Sequence, residues 1–291
     1  MSLTSFPPRM ATIAGCIGSL KQQSMAADRI LLWLSEEQFP NRMQDLPEAL
    51  RSLEDERFSI RWVRGDIGPH KKYFYAMQEF PDAVVVTVDD DVAYDRDLLR
   101  CLHEAHLAHP DTIVAGRTNL VRFRPDGGVR TYDQWAYDYQ HLRETETYAL
   151  LPTGVGGVLY PAGAIPSEAF DADLIAELCP HADDLWLKAM ATANGYPVSM
   201  PRKRFSYPNI DGSQTAALWR GNSFRNGNDL ALGKILAGLE AAYGIATPIL
   251  HRIWGVRPDG SFVGPGDTPD REPLWPDASR ERAGECLRRS G

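Results

Sequence analysis

Apolar residues occur along the chain in two patterns, as short continuous runs and as longer segments with an apolar residue at every third or fourth position. The short runs predict β-strands at residues 29–34 and 84–88, and further strands are predicted at residues 3–6 and 58–63, where polar residues interrupt the apolar ones. The helical spacing predicts helices over residues 9–23, from residue 47, around residues 73–77 and over residues 95–108. Because strand and helix alternate, the pattern predicts an α/β fold with a mainly parallel central sheet flanked by helices.

The second half of the chain is less regular. Short strands are predicted at residues 112–115, 119–123 and 158–160, and helices over residues 183–193 and 228–243. The aromatic run at residues 132–139 fits neither period, so we expect irregular structure there. Residues 256–291 carry several Pro and Gly residues without apolar periodicity, which predicts a mobile or loosely packed tail.

Composition excludes several classes of protein. The chain has 291 residues, of which 43% are hydrophobic, but no run of about twenty apolar residues that would predict a membrane span. Its net charge of −8 argues against a general nucleic-acid binder. No export signal is visible, and the four cysteines have no paired spacing for zinc or redox chemistry. We therefore expect a cytoplasmic protein with reduced thiols.

Three consecutive carboxylates, Asp89, Asp90 and Asp91, directly follow the most hydrophobic predicted strand. Adjacent carboxylates repel one another unless positive charge lies among them. Hard oxygen ligands suit Mg²⁺ or Mn²⁺, and the carboxyl ends of parallel strands are where open α/β sheets bind ligands. The spacing predicts that Asp89 and Asp91 meet one ion, while a solvated turn before the helix at residues 95–108 is the alternative.

Two further segments combine glycine with charge. A glycine-punctuated loop at residues 65–69 leads to Lys71 and Lys72. Later, a glycine-rich segment at residues 153–157 precedes a helix that opens with Asp183 and Asp184. Glycines at such positions indicate a close backbone approach or tight packing. Helix capping explains one acid at the helix start better than two.

Taken together, these segments resemble nucleotide-sugar glycosyltransferases of the GT-A fold, near the bacterial family 2-like enzymes. The matching motifs are TSFPPR at residues 4–9, LWL at 32–34, the loop at 66–72, VDDD at 88–91, TGVGG at 153–157 and ADDLW at 182–186. The resemblance covers nearly the whole chain up to about residue 230. It implies a Rossmann-like donor-binding sheet with a smaller acceptor-side region.

The resemblance also implies roles on the donor side. Asp89 and Asp91 would hold Mg²⁺ or Mn²⁺ against the donor diphosphate, and Asp90 would contact the ribose or enter the metal shell. The other residues implied in binding the donor are Thr4, Ser5, Arg9, Asp66, Lys71 and Lys72. A solvated helix start is the alternative for the lysine pair.

On the acceptor side, the resemblance implies that Asp184 is the general base and that Asp183 is its neighbour. The family pattern is commonly Glu-Asp, and the Asp at position 183 leaves the division of roles open. The glycines implied in acceptor approach are Gly154, Gly156 and Gly157. Trp186 is predicted to be core, and His181 to be structural rather than a third metal ligand. Loops at residues 213–215 and 222–229, with Arg220 and Arg225, are expected to close over the donor.

The resulting hypothesis is an inverting, metal-dependent hexosyltransferase of surface-polysaccharide synthesis. Its donor would be a nucleotide-diphosphate sugar, with a UDP-sugar favoured, and its acceptor a glycan or lipid-linked glycan that draws the protein to the inner face of the membrane. Residues 1–118 would form the nucleotide-sugar-binding half and residues 119–255 the acceptor-binding and catalytic half, followed by the tail at 256–291. The alternatives are a sugar nucleotidyltransferase and a non-catalytic nucleotide- or glycan-binding protein.

Overall fold

A seven-stranded sheet forms the centre of the computed structural model, which describes residues 1–213, 227–256, 261 and 267–276. The strands of this sheet are β1 (Ser2–Thr4), β2 (Ile30–Ser35), β3 (Phe58–Val63), β4 (Val85–Thr87), β5 (Ile113–Ala115), β8 (Val158–Tyr160) and β9 (Val198–Ser199). They lie in the order β3-β2-β1-β4-β8-β5-β9, and all neighbours pair in parallel except those of β8. The predicted α/β, Rossmann-like fold with a mainly parallel sheet is confirmed.

Helices cover both faces of the sheet. They are α1 (Ile13–Lys21), α2 (Glu48–Arg51), α3 (Lys71–Glu79), α4 (Leu98–Ala108), α5 (Ala172–Leu178), α6 (Asp183–Ala193), α7 (Gly227–Tyr243) and α8 (Ala246–Trp254). Strand β2 shows why helices are needed on both faces of the sheet, because all six of its residues are buried. Leu32 packs with α1 and α2 on one face, whereas Trp33 packs with Ala76 of α3 on the other. Burial on both faces explains why five of its six residues, Ile30–Leu34, are apolar.

The one reversed strand, β8, controls where the glycine-rich segment lies. Strand β8 runs antiparallel to β4, with Val158 opposite Thr87. The amino end of β8 therefore meets the carboxyl end of β4, where the acidic triplet begins. A separate antiparallel pair, β6 (Thr118–Leu120) and β7 (Leu150–Pro152), brackets residues 121–149, which leave the sheet and return to it.

The predicted elements differ from the structure mainly at their ends and where elements are short. The first helix begins at Ile13 rather than at residue 9, because Pro7–Arg9 form a 3-10 turn that buries the Arg9 side chain. Strands β7 and β9 and helices α5 and α8 were not predicted. The strands among them have only three and two residues, too few to show a period. The aromatic run contains one short 3-10 turn, Tyr132–Gln134, and is otherwise irregular, as predicted.

The part of the predicted tail that the structure describes packs against the body of the protein. Trp275 is buried, and the Leu274 amide donates a hydrogen bond of 2.7 Å to the Ala193 carbonyl. Arg271 forms an ion pair of 2.6 Å with Glu146. The rest of the predicted tail lies outside the described residues. Within the described residues, no helix is long and apolar enough to cross a membrane.

Gly195 provides a test of this packing. It has φ +84°, and a Cβ there would lie 2.0 Å from the Arg271 carbonyl oxygen. Gly163 has φ +74° with nothing within 4 Å of its Cβ position, so Gly163→Ala measures backbone strain alone. We expect Gly163→Ala to lower the free energy of unfolding by about 1–3 kcal/mol and Gly195→Ala to lower it by more. Urea unfolding measures both. Equal losses would show that residues 267–276 do not pack as described.

Candidate active site

The carboxyl ends of the parallel strands and the start of α6 enclose a cavity of about 360 Å³. Because parallel strands present their carboxyl ends at one edge of the sheet, residues far apart in sequence meet there. The predicted site residues that line this cavity are Thr4, Ser5, Arg9, Asp66, Lys71, Lys72, Asp89, Asp90, Asp91, Asp183 and Asp184. Their proximity is therefore a property of the fold, whereas the roles assigned to them stay predictions.

Arg9 and Ser5 bind the acidic triplet directly. Arg9 Nη1 lies 3.0 Å from Asp91 Oδ2 and 4.0 Å from Asp90 Oδ1, and Ser5 Oγ donates a 2.5 Å hydrogen bond to Asp90 Oδ2. Burial raises the pKa of Asp90 to about 6, although the Ser5 hydrogen bond and the Arg9 charge oppose the shift. The Thr4 hydroxyl donates to the Trp33 carbonyl at 2.8 Å. In this structure the side chains of Arg9 and Ser5 therefore contact the acidic triplet.

Lys72 joins the two acidic regions of the site. Its Nζ lies 2.8 Å from Asp89 Oδ1 and 2.7 Å from Asp183 Oδ2, and its side chain is only 5% exposed. Burial alone would lower the pKa of Lys72, but the charges of Asp183 and Asp89 outweigh it and raise the pKa well above its usual value. The alternative of a solvated lysine is wrong for Lys72, because its ammonium group is a buried bridge.

The neighbouring lysine belongs to a second ion pair. Lys71 Nζ donates to Asp66 Oδ1, which also accepts the Gly68 amide at 3.0 Å. Gln38 donates to the other carboxylate oxygen of Asp66 at 2.6 Å. The Lys71 side chain is 2% exposed, so the solvated alternative is wrong here too. This cluster fixes the loop that precedes α3 at the edge of the cavity.

The two acids that open α6 differ in their protonation. Burial would raise the pKa of Asp183, but the Lys72 ammonium outweighs it and holds the pKa below its usual value. Burial, together with the adjacent Asp183 charge, raises the pKa of Asp184 to about 8. The Gly154 amide donates to Asp184 Oδ1 at 3.1 Å, which fixes the orientation of that carboxyl group. Asp184 is therefore poised to exchange a proton near neutral pH.

The three predicted acceptor glycines each have a packing reason in this structure. A Cβ on Gly154 would lie 2.5 Å from both Asp89 Oδ1 and Lys72 Nζ. A Cβ on Gly156 would lie 2.4 Å from the Arg117 backbone nitrogen, and Gly157 has φ +71°. Glycine at position 154 is thus what allows the ion pair between Asp89 and Lys72 to form beside β8. Contact of these glycines with an acceptor stays a prediction.

A second, larger cavity of about 1320 Å³ adjoins the first. The residues that line both cavities are Asp89, Asp91, Tyr132 and Asp184. Asp89, Asp91 and Asp184 therefore lie at the boundary between the two spaces.

The residues of the larger cavity were mostly missed by sequence reasoning. They include Arg117, Asn119, Tyr132, Asp138, Arg204 and Tyr207. The one available signal was the aromatic run, whose Tyr132 hydroxyl accepts a 3.2 Å hydrogen bond from Asn119. The others come from loops without a motif, and Arg204 reaches Asp138 at 3.1 Å from a distant part of the chain.

The charges of the smaller cavity favour an added cation. Six carboxylates line it, against the three permanent cations Arg9, Lys71 and Lys72. No group of three or more potential metal ligands converges among the described residues. Mg²⁺ commonly binds through only one or two carboxylates together with water and substrate phosphates, which is the kind of site that Asp89 and Asp91 offer. The residues therefore fit a divalent cation that arrives with a phosphorylated substrate.

The remaining predictions concern residues around the cavity. Trp186 is fully buried and its indole N–H donates to the Ala169 carbonyl at 3.0 Å, so its assignment to the core is confirmed. His181 lines the smaller cavity. Ser213 is buried, and its hydroxyl donates to the Asp91 carbonyl at 3.2 Å. Arg220, Arg225 and the rest of the loops at residues 214–226 lie outside the described residues.

Several solved structures are similar to this chain in fold. One is TarS 1-349 from S. aureus in complex with UDP-GlcNAc, at 14% identity and a TM-score of 0.49, over 87% of this chain and 70% of that chain. Another is the mannosyltransferase PcManGT from Pyrobaculum calidifontis in complex with GDP-Man and Mn²⁺, at 15% identity and a TM-score of 0.43, over 85% and 76%. A third is the UTP-bound UGPase from Acinetobacter baumannii, at 11% identity and a TM-score of 0.40, over 87% and 93%.

No protein-family model and no curated protein sequence matches the chain. The structural likenesses have identities of 15% or less and TM-scores below 0.5, so they carry no conclusion about the reaction. The residues of the site must support any assignment of function.

Lys72→Met tests the buried bridge. Removing one partner of a buried ion pair leaves its carboxylates uncompensated, and we expect a loss of about 3–5 kcal/mol in unfolding free energy. Lys21→Met is the matched control, because Lys21 pairs with Asp55 at 2.9 Å in a more exposed place, and its loss should be at most about 1 kcal/mol. A Lys72→Met protein as stable as the control would mean that the bridge does not hold the site together.

Proposed function

We propose that this chain is an inverting, metal-dependent glycosyltransferase of the GT-A fold. It would transfer a hexose from a nucleotide-diphosphate sugar, with UDP favoured, to a glycan or lipid-linked glycan in surface-polysaccharide synthesis. The observation that carries the proposal is the boundary between the two cavities, where Asp89, Asp91, Tyr132 and Asp184 face both spaces. A donor in the smaller cavity and an acceptor in the larger one would meet at that boundary.

The smaller cavity suits the donor because it combines cations with hydrogen-bonding groups. Arg9, Lys71 and Lys72 supply positive charge at the strand ends, and their present carboxylate partners keep them oriented. Asp89 and Asp91 would hold Mg²⁺ or Mn²⁺. When bound, the cation supplies charge that stabilises the departing diphosphate. The Asp66 side chain lines the cavity and is 27% exposed although Lys71 and Gln38 bind it, so a nucleobase would contact it at this exposed edge.

Asp184 suits the role of general base on the acceptor side. Its carboxylate would accept the proton of an acceptor hydroxyl while that oxygen forms a bond to the anomeric carbon of the donor. The bond between that carbon and the diphosphate oxygen breaks on the opposite side, so the configuration inverts. A pKa of about 8 makes Asp184 a stronger base than an ordinary carboxylate. The Gly154 amide keeps the carboxylate aimed at the boundary.

The two alternative functions have less support. A sugar nucleotidyltransferase would need a glycine-rich N-terminal loop that grips a triphosphate, whereas the corresponding segment here is the 3-10 turn Pro7–Arg9 with two prolines. A non-catalytic binding protein does not require two separately placed acidic sites, whereas here the triplet and the acids of α6 line the same cavity. Incubating the protein with a panel of nucleotide sugars, and separately with sugar phosphates and nucleoside triphosphates, distinguishes the three.

We expect UDP or GDP to bind much more tightly with Mn²⁺ or Mg²⁺ than with EDTA, because the cation offsets the carboxylates of the site. Isothermal titration calorimetry measures this difference. Asp91→Asn should lower the metal-dependent part of the affinity at least tenfold, about 1.4 kcal/mol. The control Asp173→Asn alters an exposed acid on α5 and should have no effect. A nucleotide affinity that is the same with the metal and with EDTA would contradict the metal-dependent mechanism.

Asp184→Asn should bind nucleotide normally but transfer sugar at least a hundredfold more slowly, because Asn cannot accept the proton. In the wild type the base acts only when deprotonated. The logarithm of kcat/KM should therefore rise with pH, with a slope near one, and level off near the pKa of about 8. A pH-independent rate between pH 5 and 9, or an active Asp184→Asn variant, would remove Asp184 as the base.

A further inference from the structure

We propose that a groove next to the larger cavity binds an anionic stretch of a glycan. The groove has a volume of about 870 Å³ and is lined by Val121, Arg122, Phe123, Arg130, Trp135 and Trp254, among others. We call it the arginine groove. The description of this glycan as the acceptor rests on the proposed function, whereas the binding of an anionic glycan does not.

The arginine groove continues from the predicted acceptor space. Asp133 lines both the arginine groove and the larger cavity. A chain-like ligand whose end reaches the boundary residues can therefore extend into the arginine groove without crossing the sheet. A single sugar fills only part of the larger cavity, so an extended glycan is the class of ligand that uses both spaces.

The two arginines form an unusual pair on the wall of the groove. Phe123 and Val129 pair with each other in an isolated antiparallel β-bridge, and the Arg130 amide donates to the Arg122 carbonyl at 2.9 Å. Arg122 and Arg130 are thus directly opposite each other, an arrangement that is destabilising for like charges. Neither has an ion-pair partner in the part of the chain that the structure describes, whereas the nearby Arg124 pairs with Asp126 at 3.2 Å.

This uncompensated charge indicates an anionic ligand. The chain has a net charge of −8, so two opposed cations without an ion-pair partner among the described residues stand out from its overall charge. Guanidinium groups bind carboxylates and phosphates through paired hydrogen bonds. One Arg130 nitrogen, Nε, donates to the Phe123 carbonyl at 3.2 Å, which positions the guanidinium beside the groove.

An aromatic surface beside the arginines suits the rings of a glycan. Phe123 and Trp254 stack with their ring centroids 5.5 Å apart and their planes at 16°. Trp254 also packs over the turn at Gly127, where a Cβ would lie 2.7 Å from its ring. This contact restricts the position of the indole ring, and both aromatic residues are only partly buried. Fixed aromatic rings provide apolar area for a sugar face.

The charges along the two spaces also orient the ligand. Asp133 and the boundary carboxylates line the larger cavity, whereas Arg122 and Arg130 line the arginine groove but not the larger cavity. Repulsion at the acidic end places an anionic group at the arginine end and an uncharged sugar near Asp184. The ligand class is therefore a glycan whose charged group is separated from its reacting end.

Direct binding to the full-length protein, without nucleotide, tests the proposal. The probes are oligogalacturonate for a carboxylate ligand, phosphorylated dextran for a phosphate ligand and plain dextran as the neutral reference. We expect at least one anionic probe to bind the wild type more tightly than dextran. Arg122→Ser combined with Arg130→Ser should weaken that binding about tenfold, since two partly exposed charge contacts are lost. The preferred probe identifies the anionic group.

A matched control excludes a general effect of charge. Arg51→Ser combined with Arg57→Ser removes the same charge from exposed positions elsewhere and should leave binding unchanged. The single variant Arg122→Ser serves if the double variant unfolds, because the Arg122 side chain is exposed. Equal binding of all three probes, or equal losses in the groove and control variants, would overturn the proposal.

A failure of this proposal is distinguishable from a failure of the proposed function. Asp184→Asn should bind the anionic probe normally, because Asp184 does not line the arginine groove. If transfer occurs, the groove variant should raise the KM for an anionic acceptor and leave kcat and donor hydrolysis unchanged. A lower kcat with an unchanged KM would contradict the placement of the acceptor in the arginine groove.

Discussion

The site depends on one buried ammonium group. Lys72 lies between Asp89, at the end of the central strand, and Asp183, at the start of α6. Without that charge, two carboxylates would be buried close together in a region of low dielectric constant. The strand-end acids and the helix-start acids come from distant parts of the sequence, and Lys72 is what makes their proximity stable. Gly154 completes the arrangement, because any side chain there would occupy the space of the ion pair.

The Lys72 bridge is also one reason why the pKa values of the two acids on α6 differ. Lys72 keeps Asp183 ionised, and the resulting negative charge raises the pKa of the adjacent Asp184. Lys72 thus acts on Asp184 through Asp183, and its effect adds to that of burial, which is the larger cause of the raised Asp184 pKa. Within the proposed function, this difference in pKa favours Asp184 over Asp183 as the base.

Sequence patterns predicted the elements that are buried on both faces, and the acids that follow or precede them. Strand β3 was also predicted to the residue, because the buried Phe58 and Ile60 alternate with the less buried Ser59 and Arg61. Short elements such as β9 carry too few residues for a period, and the contacts of Lys72 with Asp183 depend on a crossover that no local pattern encodes. Arg9 was expected to face the nucleotide, yet its contact with Asp91 depends on the 3-10 turn that buries it. The larger cavity consists of loop residues without a motif, so only the tertiary structure reveals it.

The short pair β6 and β7 has a consequence for how such a protein diversifies. Residues 121–149 leave the sheet after β6 and return at β7, so their ends are tied together by three paired residues on each side. Insertions, deletions or exchanges within this excursion need not move the strand ends that carry the acidic triplet. Under the proposed function, a change of glycan preference would then need the replacement of only one contiguous segment, while the strand ends stay in place.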